Sequence, residues 1–314
     1  MIKKRIMRIE IPINGGFMET IPAKTILSAY MKKGWFGCNY NMNLYRGCPH
    51  GCIYCDSRSA CYGIERFDTP RAKENALAIL ARELKSKRRR GTILTGSMSD
   101  PYNPLESGLN LTRGALKLIC GERFGVVILT KSNLILRDAE LIQNIGRYAP
   151  AVAGLTITTA DDALCKRVEP NVCATGDRFK AIQSLSRMGV MCGVLLMPLL
   201  PFINDTVENV RAIVQKAADS GARWVYAEPG LPVSIREGQR EYFYARLDEG
   251  FGGLKEKYIN RYGLSYWCYS PEPGLWEAFM SECEKKRLAY RQREIADLIA
   301  LPYRCDQISL FDNM

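Results

Sequence analysis

Three cysteines within residues 48–55 constrain this chain more than any other stretch. The segment Tyr45-Arg46-Gly47-Cys48-Pro49-His50-Gly51-Cys52-Ile53-Tyr54-Cys55 spaces them C-x3-C-x2-C. Gly47, Pro49 and Gly51 are turn formers, so the segment reads as a loop. A strand-like run, Asn41 to Tyr45, leads into it. Three thiolates on one short loop can all point at one inorganic centre. Four would close a zinc site or a four-thiolate cluster. Three leave one iron of a four-iron cluster without a protein ligand, and an open iron can take a small molecule. A zinc site would need Cys61 or His50 as its fourth ligand.

Downstream of the loop, strand and helix signals alternate. Apolar runs at Thr92–Thr95, Val126–Thr130, Ala151–Thr159, Val190–Met197 and Trp224–Ala227 read as strands, six with the run before the loop. Between them, Leu77, Leu80 and Leu84 mark a helix, as do residues 111–120, Leu134 to Ile145 and residues 176–188. Asp205-Thr206-Val207-Glu208 has capping-box spacing and opens another. The strand runs lack polar alternation, as expected of parallel strands covered on both faces. A parallel β/α barrel, complete or partial, follows, and its chemistry belongs at the carboxyl ends of the strands. Gly96 to Asp100, Lys131-Ser132, Thr158 to Asp161 and Glu228 fall there, with the cysteine loop. Residues 1–40 read as an irregular lead-in, 41–232 as the barrel and 233–302 as a helical extension, with helices over 236–260 and 274–300. Residues 303–314 form a tail.

The 314 residues are 47% hydrophobic and 25% charged, the profile of a globular protein, and no apolar run is long enough to span a bilayer. The basic N-terminus lacks an apolar h-region and a small-residue cleavage site, so no signal peptide is read and a cytoplasmic location is expected. Twelve cysteines are many for such a chain. Cys120 and Cys192 sit in apolar contexts and read as small hydrophobes, while Cys268, Cys283 and Cys305 could hold a second centre. The net charge of +11 favours a polyanionic partner, DNA or RNA, through counterion release, although solubility alone can explain such an excess. Lys85, Lys87, Arg88, Arg89 and Arg90 form one basic run. Lys285, Lys286, Arg287, Arg291 and Arg293 form another along an expected helix.

Cys48-x3-Cys52-x2-Cys55, with Tyr54 before the last cysteine, resembles the signature of the radical S-adenosylmethionine (SAM) superfamily. The wider string Asn43 to Cys55, with Thr95-Gly96-Ser97-Met98-Ser99-Asp100-Pro101-Tyr102 and Ile128 to Ser132, resembles the group related to spore photoproduct lyase. The resemblance spans roughly residues 38–230. It implies a partial (β/α)6 TIM-type barrel and a [4Fe-4S] cluster on Cys48, Cys52 and Cys55. SAM would chelate the open iron, be cleaved by one electron to a 5′-deoxyadenosyl radical, and the radical would abstract hydrogen from substrate. The resemblance further implies Ser97, Ser99 and Asp100 near the SAM amino group, and Lys131 and Ser132 near its carboxylate. Thr158 and Thr159 would lie near the ribose and Tyr54 beside the adenine. An electron donor such as flavodoxin or ferredoxin would serve the cluster. In the lyase a cysteine after the second strand donates hydrogen to the substrate radical. Its nearest counterpart here is Ser97, whose O–H is a far poorer donor. A different substrate, or a different path for the final hydrogen, is implied.

Arg167-Val168-Glu169-Pro170 reads as a loop whose Arg and Glu could bind a ligand or pair with each other. His50 reads as a structural neighbour of the cluster, not a ligand. In the tail, Gln307-Ile308-Ser309-Leu310-Phe311 resembles the pentapeptide that docks bacterial repair proteins on the DNA sliding clamp; packing of the tail on the barrel is the alternative. The leading expectation is a radical SAM enzyme acting on nucleic acid, in DNA repair. The alternatives are radical SAM modification of RNA or a peptide, and a non-catalytic metal-cysteine DNA-binding module.

Overall fold

Six short parallel strands carry the molecule. The computed structural model describes residues 12–13, 16–17, 19–32 and 34–303. β1 (Tyr40–Met42), β2 (Thr92–Thr95), β3 (Gly125–Thr130), β4 (Ala151–Thr156), β5 (Met191–Leu195) and β6 (Trp224–Tyr226) lie side by side in chain order, each parallel to the next. Their alternation divides two cores. Leu94, Val127, Leu129, Val152, Leu195, Trp224 and Tyr226 face the barrel interior, in one apolar cluster. Ile93, Val126, Ile128, Ala153, Leu155, Val194 and Val225 face the helices in another. Each fully buried aliphatic side chain contributes about 1.5–3 kcal/mol, more than the ~1 kcal/mol span of strand propensities, so two-sided burial decides the architecture. Gly193 permits a close approach in the interior: a Cβ there would lie 2.0 Å from the Trp224 ring.

Helices α1 (Ala76–Ser86), α2 (Leu111–Gly121) and α3 (Ala139–Ile145) follow β1, β2 and β3. Between β4 and β5 lie α4 (Asp162–Val168) and α5 (Thr175–Arg187), and α6 (Val207–Asp219) precedes β6. Their apolar stripes, such as Leu80 and Leu84 of α1 or Ile213 and Val214 of α6, lie in the outer core. Four more helices form the extension: α7 (Gln239–Gly250), α8 (Leu254–Tyr262), α9 (Leu275–Lys285) and α10 (Gln292–Ala300).

Several expectations change on contact with the fold. The lead-in is not wholly irregular, since Leu27–Ala29 adds an antiparallel edge strand to β1. The helix expected over 236–260 is broken at Phe251-Gly252-Gly253, where Gly253 takes φ +75°. The one expected over 274–300 breaks between α9 and α10, where Arg287 has φ +57°. The second basic run therefore straddles a turn, and within it the Ala289 carbonyl accepts from the Val225 N–H at 2.9 Å, extending the edge of β6. The cap of α6 is Thr206 alone, whose hydroxyl accepts from the Asn209 N–H at 3.1 Å; N3 is Asn209, so the expected capping box does not form.

The amino-terminal end of the barrel is plugged. Phe36, Ile295 and Ile299 pack with Trp224 and Val127 in the interior cluster, so α10 belongs to the barrel as much as to the extension. Cys268 and Cys283 are buried in two different apolar clusters, which removes them as a pair for a second centre. Cys305 and the clamp-like segment Gln307 to Phe311 lie outside the described residues. No helix among the described residues is long and apolar enough to cross a membrane.

Candidate active site

The cysteine loop sits where the sequence places it, beyond the carboxyl end of β1, and four separate segments hold its backbone. The Cys48 N–H donates to Phe67 O (2.8 Å) and the Ile53 N–H to Val168 O (3.0 Å). The Asn171 N–H donates to His50 O (3.1 Å), its side chain to Pro49 O (2.9 Å), and the Gln239 side-chain amide to Tyr54 O (2.8 Å). Gly47 is required by this fit: it has φ +82°, and a Cβ would come within 2.6 Å of Phe67 O. These hydrogen bonds engage the loop's backbone and not its thiols.

Cys48 and Cys52 are buried and Cys55 is half-buried. Burial pushes all three thiols up, Cys48 to about 12, and each of Cys48 and Cys52 also feels the charge of Cys55. Among the described residues no three His, Cys, Asp or Glu side chains lie close enough to share one metal ion. A four-iron cluster asks for a different arrangement, in which each thiolate binds its own iron. Beside the loop, burial disfavours the Lys131 ammonium, yet Cys52, Glu169, Cys55 and Asp100 outweigh that and raise its pKa. Its Nζ lies 5.7 Å from the centre of the Tyr54 ring. His50 is buried, 3.6 Å from an Asp100 oxygen, and burial lowers its pKa, which keeps it neutral.

The strand ends fall into two groups. Some expected ligand residues are engaged in holding the backbone. Asp100 accepts from the Thr130 hydroxyl (2.7 Å), the Lys131 N–H (2.7 Å) and the Tyr102 N–H (2.8 Å), so its carboxylate braces the end of β2 against the end of β3. The Ser99 hydroxyl donates to Gly47 O (2.6 Å). The Ser132 hydroxyl caps the next turn by accepting from the Leu134 N–H, and Thr159 Oγ1 accepts from the Asp161 N–H. Ser97 is exposed and donates to Asn41 Oδ1 at 3.1 Å. Thr158 is different: its hydroxyl is buried and has no hydrogen-bond partner among the described residues. A buried polar group is seldom left so without a ligand to satisfy it.

Sequence reasoning missed the ion pair beneath the loop. Glu169 is buried and bonded to Arg178, whose Nη2 donates to Glu169 Oε2 at 2.5 Å. Tyr54 donates its hydroxyl to the same carboxylate. Burial disfavours the Glu169 charge, but Arg178, Lys131 and Tyr54 overcome it and lower the pKa. Arg178 further donates to Thr156 O (2.6 Å) and Cys173 O (3.1 Å), tying β4 and the loop after α4 to the pair. Of the two alternatives for Arg167 and Glu169, pairing with each other does not occur. Arg167 is on α4 and turns outward to Gly250 O and the Phe251 ring. One helical turn separates Glu169 from Cys165, and α5 delivers Arg178, nine residues on, a pairing between two helices that no helical spacing announces. Gln239 was equally silent in the sequence. It is buried, and it joins α7 to the loop.

A parallel barrel of this kind, with a three-cysteine loop at its carboxyl mouth, defines the β/α-barrel enzymes that build their site on a cysteine-held inorganic centre. The model of the Radical SAM superfamily matches residues 42–217, and the chain belongs to that superfamily. Membership brings a [4Fe-4S] cluster and SAM as its cofactors. An uncharacterized protein of Mycobacterium tuberculosis is 28% identical over 230 residues, covering 71% of this chain and 67% of that protein. An uncharacterized protein of Methanocaldococcus jannaschii is 34% identical over 172 residues, 54% of this chain and 63% of that one. In fold, the chain is similar to spore photoproduct lyase complexed with dinucleoside spore photoproduct, with TM-score 0.60 at 15% identity over 84% of this chain and 80% of that one.

Proposed function

We propose that this chain binds its [4Fe-4S] cluster through Cys48, Cys52 and Cys55 and acts on nucleic acid, with repair of a DNA lesion as the favoured reaction class. The observation that carries the proposal is the convergence at one barrel end of three thiols, the Lys131 ammonium and the unsatisfied Thr158 hydroxyl. The cofactors, when bound, supply one-electron reductive cleavage of SAM. The protein's residues bind and orient. Lys131 offers an ammonium to the SAM carboxylate, held in place because Asp100 fixes its backbone. Thr158 offers its hydroxyl to the ribose. Tyr54, anchored through Glu169, presents a ring of fixed orientation beside the loop. The loop, packed on Val233, Phe243 and Tyr258 of the extension, keeps water from its inner side. The nucleic-acid part rests on the +11 charge and on the similarity in fold to a protein solved with a dinucleoside spore photoproduct.

Anaerobic reconstitution with iron and sulfide, reduction by dithionite and addition of SAM tests the cofactor assignment. Release of 5′-deoxyadenosine is expected, and a colourless protein that releases none overturns it. Lys131→Gln should weaken SAM binding about 10–100-fold in equilibrium dialysis, the loss expected for a charged hydrogen bond worth about 1.5–3 kcal/mol. Unchanged SAM affinity would leave Lys131 with a structural role only. Tight binding to one RNA or peptide, with none to DNA, would move the substrate to the other class.

A further inference from the structure

A cavity of about 330 Å³ opens beside the cysteine loop. Its walls include Lys24, Arg46, Lys73, Asn43, Tyr62 and Ser99, and among the described residues no acidic one. It shares a wall with the reaction site, because Arg46 and Gly47 lead into Cys48 and the Ser99 hydroxyl is bonded to Gly47 O. Its volume falls within the small-ligand range of about 300–1,000 Å³.

The charges of this cavity are not neutralised from within. Glu83, the acid that acts on Lys73, already accepts the N–H groups of Ile26 and Leu27 at 3.1 and 2.9 Å. Burial holds the Lys73 ammonium below the ordinary lysine range; Glu83 opposes this and Arg46 adds to it. Lys73 is half-buried, and Arg46 is exposed with its Nη2 donating to Gly63 O at 2.7 Å, so an anion entering the cavity meets two cations on its wall. In the same cavity the side-chain oxygen of Asn43 is buried without a hydrogen-bond partner. It can accept an N–H that none of the described residues provides.

We infer that this cavity takes one nucleotide of the substrate strand, its phosphodiester on Lys24, Arg46 and Lys73 and a base-edge N–H on Asn43 Oδ1. The inference rests on the nucleic-acid reading given above. It adds where the strand is gripped: on the β1–β2 side of the mouth, next to Met98 and Ser99 and directly before the first cluster cysteine. The phosphate contacts set register without reading sequence, and Asn43 supplies a contact to the base.

Fluorescence anisotropy of the reconstituted protein with a labelled single strand, over a salt series, tests this. For Lys24→Gln/Lys73→Gln, the slope of log affinity against log salt should become less steep by about 1.4, or about 0.7 per cation lost. At 0.1 M salt this corresponds to roughly 25-fold weaker binding. Asn43→Ala should weaken binding at an unchanged slope. Lys285→Gln/Lys286→Gln removes the same charge at the turn beside the start of β6, at the opposite end of the barrel, and should leave the slope near the parent's. An unaltered slope in the Lys24/Lys73 variant, or an equal change in the Lys285/Lys286 variant, overturns the cavity as the grip and leaves the nucleic-acid reading standing. A parent protein that binds no strand at any salt overturns that reading itself. Parental affinity in Asn43→Ala removes the base contact. Circular dichroism matching the parent's shows that each variant has folded.

Discussion

Cys52→Ala should yield a folded protein whose SAM cleavage falls to background. Cys52 lies in an apolar cluster with Ile53, Tyr54, Val168 and Phe243, so losing its sulfur removes little packing volume and costs on the order of 1 kcal/mol. The chemical loss is far larger. With two thiolates left, the loop cannot hold a four-iron centre in the manner assigned, and the reduced protein should lack both the cluster's visible absorption and 5′-deoxyadenosine release. The control is the denaturation midpoint of the metal-free protein, which should lie close to the parent's. Cleavage at the parental rate in this variant would show that the cluster is held elsewhere.

The second large effect concerns stability. Arg178→Met should destabilise the protein by about 3–5 kcal/mol, because it strands the buried Glu169 carboxylate without its partner. The pair is not thereby a large net source of stability. Burying two charges is expensive, and well-packed apolar residues in their place can be as stable. Arg178→Met/Glu169→Met should accordingly lose clearly less than the two single changes added together. Urea unfolding of the four proteins measures this cycle. Additive losses would mean that Arg178 acts through its bonds to Thr156 O and Cys173 O, independently of Glu169.

These two predictions draw on different kinds of legibility. The cysteine spacing is local, and glycines and proline around it announce a loop, so Cys48, Cys52 and Cys55 could be read directly from the chain. The six strands could be read as well, since two-sided burial leaves runs such as Val126–Thr130 uniformly apolar. What eluded the sequence is non-local or depends on single backbone conformations. Arg178 and Glu169 are brought together by the packing of α5 on α4; Glu169 stands out in its loop, but nothing in the chain names Arg178 rather than Arg167 as its partner. The breaks after α7 and α9 hinge on positive φ at Gly253 and Arg287; the second is a residue that gives no warning of it. Asp100 shows a subtler limit. Its place at the end of β2 was legible, but only the fold shows its carboxylate already occupied by Thr130, Tyr102 and Lys131. Residue type and position suggest a ligand contact, and the fold adds a bracing role between the ends of β2 and β3 that the chain does not announce.

The plug formed by Phe36, Ile295 and Ile299 against Trp224 has a kinetic consequence. Among the described residues it fills the amino-terminal end of the barrel and leaves the carboxyl mouth as the approach to the site. A polymer lying across that mouth would trap whatever lies beneath it. Addition would then be compulsory in order, the small cofactor before the strand, and its fragments would leave only after the strand lifts. Raising strand concentration should therefore inhibit turnover when SAM is scarce, and the inhibition should vanish when SAM saturates.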